Sequence, residues 1–432
     1  MLGIGRRGPL GRAEEEGSGG PPRLAEQDAW IALNAVEGVG PVSFGRLVAA
    51  FGSAAEVLVA ARAGDARLRL ADATRGADGD RPLLSPAGVA GLMEAARDPA
   101  PLVRDVRRTG VGVVTLADAS YPSRLRRVEL PPPVLFLRGD PSAMDRPEAV
   151  AIVGTRRPTG VGRSMAGLIG EAVGGLGATI VSGLAVGIDA AAHEAALRVG
   201  TPTVAVIGGG HDHLYPASHH GLAREITSRG GAVVSEFAPS TIPTKGTFPR
   251  RNRLISGLSS ATIVVEAGAR SGALTTAAWA LEQGRGLYLV PGRPGDPAVA
   301  GCLAFLREAG PEAHVVAGIP ELLVDLGLVA AARRQREDAT PRPARRISLA
   351  AALATLGPAE RAVAMEIAAG RGDVDLMAAA TGLPAAAVLA TLTALEVRGM
   401  ALEAFGRYLA TGALAQHRAP AERGRGVRPE AA

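Results

Sequence analysis

Cysteine is almost missing from this sequence: Cys302 is the single one among 432 residues. That excludes an intramolecular disulfide and any Cys-rich metal site. Aromatic residues make up only 3% of the chain, and Lys245 is the only lysine among 47 basic residues. Ala, Gly and Arg fill the gap, a composition that a GC-rich coding bias produces, so raw arginine counts carry little weight. No stretch approaches 18 consecutive apolar residues, so the sequence predicts no membrane span. The opening MLGIGRRGPLGRAEEEGSGGPPR has no continuous apolar run and does not read as a signal peptide. These absences predict a cytoplasmic protein with no membrane partner. What is present is an apolar fraction of 47%, enough for a sizeable core, and a formal charge of +5 with a pI near 10. That balance favours polyanionic partners without proving one.

The chain is long enough for about three domains. Residues 1–24 are Gly, Pro and charge and predict a disordered arm. Residues 25–110 carry apolar side chains at helical spacing (Trp30, Leu33, Val36, then Phe44, Leu47, Val48, Phe51), interrupted by Gly38-Val39-Gly40-Pro41. That pattern predicts a small helical domain of helix-hairpin-helix or SAM-like type. Its turn could offer amides to a DNA phosphate, but with no cations around it a plain tight turn is the better reading. Residues 111–328 then alternate short apolar runs (Val134–Leu137, Ala149–Val153, Thr179–Val181, Thr203–Ile207, Ala232–Ser235, Thr262–Val265, Leu287–Val290) with Ala/Leu-rich helix-length segments. Continuous apolar strands alternating with helices predict an α/β fold, an extended Rossmann-like doubly wound parallel sheet. A charged, Pro-containing linker is expected over 329–347. A C-terminal winged helix follows over 348–412, with helices Pro358–Ala369, Asp373–Ala380 and Pro384–Arg398 and a wing around Gly406. Residues 413–432 read as a tail.

Nicotinamide enzymes need a Gly-rich turn after the first strand and an acid at the end of the second. Here the first turn reads Gly154-Thr155-Arg156-Arg157-Pro158 and the second strand ends Val181-Ser182-Gly183, so both halves of the nicotinamide fingerprint are missing and the sequence argues against a dehydrogenase. The strand ends instead carry anion-friendly turns: Gly154-Thr155-Arg156, Ser182-Gly183, and Ser271-Gly272 opening a helix. In an open parallel sheet these converge on the carboxyl edge. To them the sequence adds a basic loop from Lys245 to Arg253, carrying Lys245, Phe248, Arg250, Arg251, Asn252 and Arg253, with no acid between Glu236 and Glu266. A local cationic field suits a phosphate backbone, and Phe248 among the cations suits base stacking. The bland alternative is a solvated loop with Phe248 in the core and Arg253 capping a following helix; position at the sheet edge favours binding.

The motifs here resemble the DNA-processing protein A (DprA/Smf) family. They are AIVGTR at Ala151–Arg156, SGLAVGIDAAAHEAAL at Ser182–Leu197, SEF at Ser235–Phe237, FPRRNRLISGLS at Phe248–Ser259, SGALTTA at Ser271–Ala277 and ALEQGR…VPG at Ala280–Gly292. The resemblance implies single-stranded DNA binding, with contacts by Arg156, Lys245, Phe248, Arg251 and Arg253 above the Ser182-Gly183 turn. It further implies help in loading a RecA-type recombinase, a homodimer, no cofactor and no catalysis. Gly301-Cys302-Leu303 departs from the family's usual pattern, which bears on dimer packing more than on DNA.

Three alternatives stand beside that expectation. Asp189 and His193 share a helix face but lack a third metal ligand, and read as structural; His211, His213, His219 and His220 complete no zinc site. A nucleotide phosphoribohydrolase shares this architecture, but its signature glutamate has no counterpart in Ala267–Ala278, leaving Glu266 as the acid to test. A sequence-specific transcription factor would need base-reading side chains, and Pro384–Arg398 offers a single arginine.

Overall fold

In the computed structural model the described residues are 24–75, 81–338, 353–354, 356–404, 407–411 and 414. All but the last residue of the expected arm at 1–24, most of the expected linker and nearly all of the tail lie outside them. The chain divides into two compact units, Met1–Arg336 and Glu337–Ala432.

The first unit begins with six helices: Glu26–Asn34, Pro41–Phe51, Ala54–Ala60, Ala66–Ala73, Pro86–Arg97 and Ala100–Arg108. Pro41 sits at the first helical position after Gly40, where its missing N–H costs nothing. Glu26 ties the first helix to the third by accepting from the Trp30 indole (2.8 Å) and the amides of Ala54 (2.8 Å) and Ala55 (3.0 Å). The apolar stripe read from sequence, including Trp30, Leu33, Phe44 and Leu47, is buried as predicted. The same core also takes in Val134 and Phe136 from the sheet. The helical segment is therefore packed onto its neighbour, not strung beside it as a separate bead.

A nine-stranded sheet follows, in the order β1-β2-β6-β5-β4-β3-β7-β8-β9. The strands are β1 (Gly112–Thr115), β2 (Val134–Gly139), β3 (Ala149–Val153), β4 (Thr179–Ser182), β5 (Thr203–Val206), β6 (Ala232–Ser235), β7 (Ala261–Val264), β8 (Gly286–Leu289) and β9 (Ala313–Val315). From β6 to β9 the pairing is parallel, while β1 and β2 extend the sheet antiparallel beyond β6. Strands β3 to β7 are buried at every residue, the burial expected when helices cover both faces. Helices Gly160–Gly175 and Ile188–Arg198 close one face. They approach so tightly that a Cβ on Gly170 would meet the Ala195 side chain at 2.7 Å. Helices Thr247–Gly257 and Ala273–Glu282 close the other, over a core containing Leu254, Ile255, Ala277 and Ala280.

Two expectations change. The basic stretch expected as a loop is mostly helix, starting at Thr247. Pro249 lies in its first turn, where no intrahelical donor is lost. The expected linker begins as the helix Leu328–Asp338, because Ala and Arg are strong helix formers and its first proline comes only at Pro341.

The second unit places helices Pro358–Ala368, Val374–Thr381 and Ala385–Val397 before the antiparallel pair β10 (Ala401–Ala404) and β11 (Arg407–Ala410). That is the element order of a winged helix. Asp373 caps the second helix by accepting from the amides of Asp375 (3.0 Å) and Leu376 (3.2 Å), and Gly382 ends it at φ 70°. The expected wing tip at Gly406 lies outside the described residues. Ala385, Ala386, Leu389, Ala390 and Thr393 are exposed on the third helix, with no Arg, Lys, Asn or Gln among them.

Candidate nucleic-acid interface

The strand order reverses at β3, which pairs with β4 on one side and β7 on the other. Ligands of open α/β sheets settle at such a switch, outside the carboxyl ends of the strands. A cleft of about 650 Å³ lies there, lined by Gly154, Thr155 and Arg156 after β3, by Phe248, Arg251 and Asn252 of the basic helix, and by Arg270, Ser271 and Gly272 after β7. Asp189 is the sole carboxylate in the lining, against Arg156, Arg251 and Arg270. The field in the cleft is positive.

Arg156 is exposed, and its guanidinium carbon lies 5.2 Å from the Phe248 ring centroid. Tyr215 packs against the same ring in a T-shaped arrangement, at 5.8 Å between centroids. The backbone makes room for Phe248 at Gly208, where a Cβ would approach the ring to 2.7 Å. An exposed cation is thus stacked on a half-buried aromatic at the mouth of the cleft. That combination offers one group to a phosphate and one to a base.

Arg251 is only 4% exposed and forms the floor. Its guanidinium lies against Gly183, where any Cβ would collide with it, and donates to the Val206 carbonyl. Burial pushes Arg251 down to about 10, while the nearby Asp189 carboxylate works against that. Burial likewise raises Asp189, opposed by Arg251 and by backbone donors. Among these, the Gly183 and Ala185 amides reach Asp189 Oδ2 at 3.1 and 3.4 Å. The floor cation is bonded to the Val206 carbonyl, and its charge is favoured by a carboxylate that itself organises the turn after β4.

The remaining sequence-predicted residues divide by the direction they face. Lys245 is exposed in the turn ahead of the basic helix, and Arg250 is exposed with its guanidinium 5.3 Å from the Phe237 ring. Asn252 donates to the Gly272 carbonyl at 3.1 Å, locking the basic helix to the Ser271-Gly272 turn. Ser271 accepts from the Ala273 amide at 3.3 Å. Ser182 is fully buried and donates to the Ile152 carbonyl at 2.6 Å, and the Gly183 amide already serves Asp189. Both stand beneath the cleft as support. Arg253 turns away altogether. It is 6% exposed, ion-paired with buried Glu236, and bonded to the Leu130 carbonyl at 2.7 Å. Burial drives both members of the pair toward neutrality, and each holds the other charged. Arg253 and Glu236 are a buried structural pair.

Sequence reasoning passed over Arg270 as a site residue, although it lines the cleft and is exposed. Its signal was its place beside Ser271-Gly272. Glu266 does not line the cleft. It is 3% exposed and accepts from the Thr159 amide at 2.9 Å, at the start of the helix Gly160–Gly175. His193 is buried, and Thr203 spends its own hydroxyl proton on the Ile180 carbonyl. His193 Nδ1 therefore donates to Thr203 Oγ1, at 2.7 Å. Among the described residues no group of three or more His, Cys, Asp or Glu is placed to hold a metal ion.

A doubly wound sheet with an arginine-lined cleft at its switch point defines a Rossmann-like protein. The chain belongs to the DNA recombination-mediator protein A family, whose profile matches residues 112–327, and a DprA-like N-terminal HHH domain matches residues 25–76. It is 36% identical to protein Smf of Synechocystis over 311 residues, 71% of this chain and 74% of that one. With a putative DNA processing protein DprA of Mycobacterium tuberculosis it shares 40% identity over 281 residues, 64% of this chain and 68% of the relative. The crystal structure of DNA processing protein A from Streptococcus pneumoniae superposes with a TM-score of 0.57 at 30% identity, covering 69% of this chain and 97% of the other.

Proposed function

We propose that this protein binds single-stranded DNA in the cleft between β3 and β7 and presents it to a RecA-type recombinase, acting by binding and not by catalysis. The observation that carries the reading is the exposed Arg156 guanidinium stacked on Phe248 over the buried Arg251 floor. A phosphate meets Arg156, with Arg270 beside it in the cleft lining and the exposed Lys245, ahead of the basic helix, adding to the field, while Phe248 supplies a face for a base. Arg250 adds to the field, Asn252 and Ser271-Gly272 shape the wall, and Arg251, Ser182 and Gly183 support it from below. Flipped-out bases suit such a cleft better than a stacked duplex does, which favours the single strand. The protein acts as a cytoplasmic homodimer, an arrangement that would display strand and recombinase together. Among the described residues no single helix is long and apolar enough to cross a membrane.

The rival reading, a phosphoribohydrolase on the same architecture, needs a carboxylate at the reacting bond. Glu266 is engaged with a helix N-terminus and does not line the cleft. Asp189 borders the cleft but is 6% exposed, and its Oδ2 is committed to the Gly183 and Ala185 amides. The deciding experiment is a salt-titrated comparison of single- and double-stranded DNA binding by the wild type and by Arg156→Glu/Lys245→Glu. The reading expects single-strand preference and at least a tenfold loss in the variant, with a flatter salt dependence. Unchanged single-strand affinity in the folded variant would overturn it.

A further inference from the structure

At the opposite edge of the sheet, where β3 and β8 begin, a second group of cations has no acidic partner. The short helix Ser123–Arg126 sets Arg124 and Arg127 three residues apart, on one face. Arg124 reaches across to the carbonyls of Arg146 and Pro147, just ahead of β3. Arg285, one residue before β8, donates to the Arg124 carbonyl at 3.1 Å, while its own Nε is buried without a partner. Among the described residues none of Arg124, Arg127 and Arg285 has an ion pair. Burial lowers Arg285, and Arg124 and Arg127 lower it further, so the three guanidinium groups repel one another. Such a cluster is at its most stable with an anion among its members.

The helix Ala273–Glu282 connects this cluster to the cleft. It opens at Gly272 in the cleft wall, and its ten residues carry it about 15 Å toward the other edge. Near its far end the half-buried Trp279 lines a hollow of about 260 Å³ with Arg127 and Gln283. Glu129 and Glu282 also border that hollow. It therefore suits an uncharged aromatic ring, and the phosphate position falls to the arginines beside it.

We propose that a strand too long for the cleft continues along the Ala273–Glu282 helix, lays a base on Trp279 and sets a phosphate among Arg124, Arg127 and Arg285. This second site rests on the cleft being the first. Its ligand is the phosphodiester backbone of the same single strand.

The test compares thymidine oligomers of about 5 and about 25 nucleotides, one shorter and one longer than the combined track. Arg127→Glu is the main variant, since Arg127 is exposed and, among the described residues, its side chain makes one hydrogen bond, a long one of 3.4 Å to the Ser123 carbonyl. Trp279→Leu is the second. The track expects both to bind the short oligomer like the wild type and the long one about tenfold more weakly. Arg127→Glu alone should also flatten the salt dependence, by about 0.7 in log–log slope for each phosphate it ceases to neutralise. Wild-type binding of the long oligomer by both folded variants overturns the track and leaves the cleft standing. Arg156→Glu/Lys245→Glu separates the two claims, because it should weaken both lengths. If that variant binds both lengths normally, the cleft reading fails and the track fails with it.

Discussion

The Arg156 guanidinium carbon stands 5.2 Å from the centroid of the Phe248 ring, so one cation and one aromatic face share the mouth of a single cleft. The two groups make separable contributions to binding a strand. Removing a cation that neutralises a phosphate changes affinity and salt dependence together, by about 0.7 in slope for single strands. Removing a stacking face changes affinity alone, by about 1–3 kcal/mol per base. Arg156→Ala should therefore weaken binding and flatten the salt titration. Phe248→Ala should weaken it at least fivefold with the slope intact, and Phe248→Tyr should restore most of the loss. Fluorescence anisotropy across a salt series reads both quantities. Identical slopes in Arg156→Ala and the wild type would show that Arg156 neutralises no phosphate.

Gly183 is required for a different reason than its place in an anion-binding turn. Its missing side chain is what lets Arg251 lie in the cleft floor. Gly183→Ala must displace a buried guanidinium, and overpacking of this kind costs about 1–3 kcal/mol. The displaced cation also leaves Asp189 buried without its nearest positive charge. Gly183→Ala is expected to lower the urea midpoint and to weaken single-strand binding in the fraction that remains folded. Full binding with lowered stability would show that the floor cation adds nothing to the field of the cleft.

Arg253 belongs to stability. With Glu236 it forms a buried ion pair, and removing one partner of such a pair typically costs about 3–5 kcal/mol, because the other charge is stranded. Arg253→Met should therefore unfold at much lower denaturant, and Arg253→Met/Glu236→Leu should recover a large part of the loss. DNA affinity per folded molecule should stay near the wild-type value in both. A selective loss of affinity in the stable double variant would return Arg253 to the interface.

These divisions mark where the sequence was readable. Strands β3 to β7 are buried on both faces, so they read as continuous apolar runs and their positions were predicted to within a residue. The strands β1 and β9 were not foreseen. They are short, lie at the sheet edges and are only partly buried, so they carry neither a solid apolar run nor a long alternation. The cationic stretch was legible as charge, but its direction was not. Residues 250 to 253 wind around a helix whose axis the sequence does not show, and this sends Arg251 into the floor and Arg253 toward Glu236 while Arg250 stays outside. The Ser182-Gly183 turn was legible as a turn. That its amide is already taken by Asp189 depends on how a second helix packs, which only the fold determines.

His193 gives the fold a predictable response to acid. The ring is fully buried, donates through Nδ1 to Thr203 and leaves Nε2 without a partner, and burial pushes its pKa down to about 3. The unfolded chain takes up a proton near the ordinary histidine value of about 6.5, whereas the folded chain does not until near pH 3. Between those limits the unfolded state binds more protons, so stability falls as pH falls through that window. His211, lowered to about 4 by burial, acts in the same direction. Together they predict a loss on the order of a few kcal/mol between pH 7 and pH 4, beyond what titrating carboxylates contribute. His193→Asn keeps a donor where Nδ1–H stands and removes the titrating group. It should start less stable at pH 7, because the smaller side chain leaves a void, yet lose less on acidification. Urea unfolding at half-unit steps from pH 7 to pH 4 measures the slope, and equal slopes in the variant and the wild type would show that His193 is not the group responsible.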